Sequence, residues 1–221
     1  MEKPIPAPWN LTGNGYILLF KFSEKFVNTR GFVPPCFKDS FQHGLGSIML
    51  VDYHSSDAGP YQELLFIPGK FLYQGQHLHT ITKIYVSTVT SVINGRNNWG
   101  IPKELATFNF TPLDQHNEKI SVTVNGNPAM KIHLKSGWLS FPVHTALLPF
   151  PLVQNLDQKI YYTKFIGKGT GRLAKIVDID VNQKYFPDIG AVKPLAVLKI
   201  SNFKITFPVA RIVEEKMTSG D

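Results

Sequence analysis

The chain has 221 residues, 43% of them hydrophobic and 18% charged, which supports one sizeable hydrophobic core and excludes an intrinsically disordered polymer. Its 23 lysines and arginines against 16 aspartates and glutamates give a formal charge of +7, but they are spread without a dense block. That spread argues against nucleic acid as a partner and suits solubility or the attraction of small carboxylates.

Cys36 is the single cysteine, so an intrachain disulfide is excluded, and the histidines lack metal-site spacing. Neither a metal nor another cofactor is expected. The first residues carry no apolar leader-like run and no stretch is long enough to span a bilayer, so a cytoplasmic protein with no membrane partner is expected.

Residues 1–14, rich in proline, read as an irregular lead-in. A strand is predicted over 15–26, then a turn or short helix within 27–39 that Pro34 and Pro35 stop. Strands follow at 43–53, with a bend at its two early glycines, and at 61–69, where Glu63 interrupts an otherwise mostly apolar run. A buried charge is expensive, so Glu63 needs a partner or a task.

The Thr, Ile, Tyr and Val of 79–87 predict another strand, and 88–94 a short helix or turn ending at Gly95. Short strands are predicted at 107–111, 120–124, 129–134 and 137–141, joined by turn-forming segments. Residues 142–151 suit a covering loop or an intersubunit surface. Strand patterns resume at 159–168 and 173–181, separated by the glycine-rich run 167–172. That run is no complete phosphate loop. The closing strand, 195–209, carries a kink near Ser201 and Asn202, and 214–221 form a tail. The sum is a single mainly β domain over 15–213, with a few short helices and antiparallel sheets curved or closed to cover their edges.

The stretch NGRNNWGIPKELATF, from Asn94 to Phe108, sets Lys103 at the rim of a buried element directly after Pro102. A free lysine amine is almost wholly protonated at neutral pH, so it attacks a carbonyl only after desolvation or a nearby cation releases its proton. Glu63 is the candidate for proton transfer or for positioning the amine. Arg96 either contacts substrate or braces the turn, and Trp99 reads as a packing anchor. His54, with Asp57, belongs to the loop before Glu63 and is a candidate at the pocket mouth.

GRNNWGIPKELA resembles the signature of the acetoacetate decarboxylase family, in which the first lysine after the proline is the Schiff-base nucleophile; Lys103 matches it. Glu63, in GPYQELLFIPG, matches the acidic residue that the family contributes to the pocket. The resemblance implies a cone-like closed β-barrel, a homo-oligomer and imine-dependent cleavage of a small β-keto acid or related oxo acid.

The sequence departs from the family at two places. Glu104, also a candidate for binding substrate, stands where the family has a second lysine, leaving desolvation to free the amine if the two side chains diverge along an extended backbone. No arginine occupies positions 14–16 before the first core strand, which leaves Arg96 as the substitute for holding a carboxylate. Aldolase or dehydratase chemistry through the same imine, and a non-catalytic binder of small ligands, therefore stand as alternatives.

Overall fold

The computed structural model describes residues 3–146 and 150–214. The first strand, β1 (Trp9–Phe20), begins within the stretch expected to be irregular. Three prolines and two glycines obscure it in the sequence, but Trp9 and Leu11 alternate into the core, and a register shift between Gly13 and Gly15 absorbs the glycines. It also ends sooner than expected: the Ser23 hydroxyl accepts from the Phe26 amide and caps helix α1 (Glu24–Arg30). A single 3₁₀ turn, Pro35–Phe37, follows.

Then come β2 (Gly46–Ser55), β3 (Tyr61–Ile67) and a hairpin of β4 (Lys70–Tyr73) and β5 (Gln76–His79). The hairpin was not anticipated; its turn residues Gln74 and Gly75 both take positive φ, as a tight two-residue connection requires. β6 (Lys83–Val86) leads into α2 (Val89–Trp99) and the two-residue β7 (Glu104–Leu105). The predicted short helix or turn at 88–94 is thus a longer helix, and Gly95 lies inside it. Thr88 caps its start through the Ser91 amide, and Gly100, at φ 62°, ends it.

β8 (Thr107–Pro112) and β9 (Asn117–Val124) precede β10 (Asn127–His144). β10 fuses the strands expected at 129–134 and 137–141 and takes in 142–144, expected as loop; its pairing is interrupted between Ser136 and Ser140. Of that loop, 147–149 lie outside the described residues, whereas Phe150 is buried. The chain closes with β11 (Leu152–Leu156), β12 (Lys159–Thr163), β13 (Ile166–Val181), β14 (Ala196–Phe207) and β15 (Arg211–Glu214). The glycine-rich run 167–172 is part of β13. The predicted kink in β14 is a bulge at Ser201 and Asn202, where the Asn202 amide donates to Asn14 Oδ1 at 2.9 Å. The expected tail beyond 214 lies outside the described residues.

Ten strands form a curved, nearly closed sheet in the order β7-β6-β3-β2-β1-β14-β13-β10-β9-β8, and five form a second, β15-β12-β11-β5-β4. Pairing is antiparallel except between β6 and β7 and between β5 and β11. Alternation along the central strands fills two cores. Ile48, Leu50, Leu64 and Phe66 face one, and Val51, Tyr53, Tyr61 and Leu65 face the other. Among the described residues, no helix is long and apolar enough to cross a membrane.

One buried titratable group is expected to make the fold acid-sensitive. His79 of β5 is 2% exposed and packs against Phe150, their ring centroids 4.7 Å apart. Burial, then the Lys70 charge, holds its pKa down to about 4. The unfolded chain takes up that proton near pH 6.5 and the folded chain only near 4, so stability falls as pH drops through this window. The loss approaches about 3 kcal/mol by the lower limit. Thermal melts at pH 7 and 4.5 are expected to show a fall in midpoint that His79→Leu largely removes.

Candidate active site

The site is built where β3, α2 and the segment after α2 meet. Period-two alternation sets Tyr61 and Glu63 on the same face of β3, and the pairing of Tyr53 with Tyr61 and of Val51 with Glu63 brings β2 alongside. α2 contributes Ser91 and Gly95, four residues apart and so on one helical face. After Gly100 turns the chain, Ile101 and Pro102 deliver Lys103 beneath that face, its amide donating to the Ile101 carbonyl at 2.8 Å. Trp99 anchors the turn as expected, donating from its ring nitrogen to the Pro208 carbonyl at 2.7 Å and meeting Trp9 edge to face.

Lys103 and Glu63 are 3% and 4% exposed. The Lys103 ammonium lies 3.0 Å from Glu63 Oε2 and donates to Ser91 Oγ at 3.0 Å, with the Tyr61 hydroxyl at 3.5 Å. It also sits 5.0 Å from the Tyr61 ring centroid, within range of cation–π attraction. Glu63 Oε1 accepts from the Tyr53 hydroxyl at 3.1 Å, so both carboxylate oxygens are engaged. Burial first, and then the Glu63 charge, pushes the Tyr53 and Tyr61 hydroxyls far above the ordinary phenol range, which keeps both as proton donors.

Close packing fixes the lysine stem. A Cβ on Gly95 would lie 2.6 Å from Lys103 Cδ and 2.8 Å from Cε. Glycine is what admits the lysine against the helix.

A pocket of about 20 Å³ adjoins Lys103, with room for one water-sized group. A second cavity of about 290 Å³ lies beyond it. Tyr53, Glu63, Leu65, Ile81 and Phe207 border both, so the carboxylate stands between the amine and the larger chamber.

Of the five residues singled out from the sequence, the structure joins Lys103 and Glu63. Arg96 is exposed and donates from Nε and Nη2 to the Lys103 carbonyl at 3.0 and 2.6 Å, so it braces the turn. Glu104 points away, as alternation along an extended backbone dictates, and pairs with Lys83 at the surface. His54 is exposed at the end of β2, with Nε2 3.4 Å from Asp52 Oδ2, and does not border either cavity. Asp57 instead accepts from the Asn10 amide. Gly15 and Tyr16, near the place of the family's arginine, line the larger cavity, and no guanidinium lines it among the described residues.

Tyr53, Tyr61, Ser91 and Gly95 were not singled out. The signal for Tyr61 is its two-residue spacing from Glu63, and for Ser91 and Gly95 their four-residue spacing on a helix that runs past the short helix or turn expected at 88–94.

The family model described as Acetoacetate decarboxylase (ADC) matches residues 3–191. A curated relative, Protein NEOXANTHIN-DEFICIENT 1 of Oryza sativa subsp. japonica, is 28% identical over 120 residues, 53% of this chain and 39% of the relative. The chain thus spans about two-fifths of that relative's length. The fold is similar to that of acetoacetate decarboxylase from Legionella pneumophila subsp. pneumophila str. Philadelphia 1, with a TM-score of 0.75, 12% identity and coverage of 99% of this chain and 92% of that one. It also resembles the enduracididine biosynthesis enzyme MppR complexed with pyruvate, with a TM-score of 0.66, 13% identity and coverage of 96% and 92%. The match from residue 3 to residue 191 takes in both Lys103 and Glu63, and the chain belongs to the acetoacetate decarboxylase family.

Proposed function

We propose that this protein is an imine-forming carbon–carbon lyase acting on a β-keto acid or related oxo compound, with Lys103 as nucleophile and Glu63 moving protons. The observation that carries this reading is the 3.0 Å contact between the Lys103 ammonium and Glu63 Oε2, both buried. Proton transfer across it turns two buried charges into a neutral amine and a neutral acid, which relieves the cost of holding ions out of water. The freed amine adds to the carbonyl carbon, and the acid returns its proton as water departs. The protonated imine then accepts the electron pair of the breaking bond, which for a β-keto acid releases carbon dioxide. Protonation of the enamine and hydrolysis release the ketone and restore the amine. Tyr53 holds Glu63 throughout, and Ser91 and Gly95 hold the amine in line.

A second reading keeps the imine but ends in aldol cleavage, condensation or dehydration. It is favoured by the lack of a guanidinium facing the chamber among the described residues, since nothing of that kind is there to seat a departing carboxylate.

The test is intact mass after borohydride reduction with β-keto acids, pyruvate and simple ketones. A covalent increment is expected in the wild type and none in Lys103→Ala. An increment that persists in the variant, or none with any compound in a folded wild type, counts against the imine. Release of carbon dioxide from the adducting β-keto acid separates decarboxylation from the second reading.

A further inference from the structure

The chamber beyond Glu63 has the wrong walls for a small polar acid. Its lining includes Met49, Leu65, Phe150, Phe165, Leu198 and Ile200, and its charged and phenolic groups differ in exposure: Glu63 and Tyr53 are buried, His144 and Lys168 exposed. Part of its lining carries no side chains. Gly167 and Gly169, two apart on one face of β13, border it, and a Cβ at Gly167 would fall 2.6 Å from Ile205 Cγ1. The glycine-rich run that makes no complete phosphate loop instead lets β14 pack over β13 at the cavity wall, since Cβ atoms at Gly167 and Gly169 would meet Ile205, Ile200 and Phe203.

A volume of about 290 Å³ is more than ten times that of the pocket of about 20 Å³ beside Lys103, and more than the smallest oxo acids fill. Most of these walls offer a polar group neither a hydrogen bond nor an opposite charge, so what they hold best is hydrocarbon.

We propose that the substrate is a carbonyl compound bearing a hydrocarbon chain, its carbonyl at Lys103 and its chain in the chamber among Met49, Leu65, Leu198 and Ile200. The position of the carbonyl rests on the imine reading; the seat of the chain does not. Apolar burial sets the expected size of the effect, about fourfold in affinity per added methylene, until the chamber is full.

The experiment is calorimetric titration with 2-alkanones from butanone to undecanone, with borohydride trapping of the same series. The proteins are the wild type, Lys103→Ala, and two variants that place bulk in the chamber, Leu198→Phe and Met49→Phe. Affinity is expected to climb with chain length and then level off, and to level off several carbons earlier in whichever bulky variant is folded. The climb is expected to survive in Lys103→Ala while the adduct disappears. Affinity independent of chain length, or a climb that neither bulky variant shortens, overturns the proposal even if small oxo acids form adducts. A climb in both wild type and Lys103→Ala without any adduct sustains the chain site and rejects the imine.

Discussion

Lys103→Met is expected to lower the unfolding free energy by about 3–5 kcal/mol, and Glu63→Gln added to it to restore most of that loss. Methionine keeps an unbranched stem of similar length against Gly95 and Tyr61, so little packing is lost. What is lost is the charge opposite a carboxylate 4% exposed to solvent, which then keeps the Tyr53 hydroxyl as its donor among the described residues. Glutamine removes the stranded charge while still accepting from Tyr53. Urea unfolding of the two single variants and the double variant measures the cycle. A cost below about 1 kcal/mol for the first substitution is the size seen for exposed pairs and is incompatible with a dry ion pair at this site.

Gly95→Ala is expected to slow imine trapping about a hundredfold while leaving the thermal midpoint nearly unchanged. The new methyl would lie 2.6 Å from Lys103 Cδ, so the stem must shift by about 1 Å, which spoils the amine's line of attack but leaves it within ion-pair range of Glu63. Misplacement of a reacting group by about 1 Å costs on the order of a hundredfold. Against the steric strain stands a gain of about 0.5–1 kcal/mol from replacing glycine inside a helix, which is why stability and chemistry part company. Single-turnover trapping set beside a thermal melt shows the split. A variant that traps as fast as the wild type would mean that the lysine reaches its carbonyl from another direction.

The sequence was most informative where burial conflicts with polarity. Glu63 in an apolar strand and Lys103 after a proline both called for an explanation, and the two side chains are hydrogen-bonded. It was least informative where local preference and tertiary demand disagree. Val89, Thr90, Val92, Ile93 and Gly95 are all poor helix formers, yet the Thr88 cap, the left-handed Gly100 and the space needed by Lys103 make 89–99 a helix. The start of β1 was hidden for the same reason: the prolines before it and its own glycines look irregular until Trp9 is seen paired with Phe207, nearly two hundred residues away. The groups around the amine come from three separate segments, and spacing along the sequence cannot say which of them meet.

That pairing of Trp9 with Phe207 has a consequence for the order of events on the ribosome. β1 lies in the interior of the ten-stranded sheet, between β2 and β14. Its β2 side can zip up early, but its other side keeps its main-chain donors and acceptors bare until β14 has been made. Until then the nascent chain carries an open sheet edge. It is most exposed to mispairing with other chains just before β14 emerges.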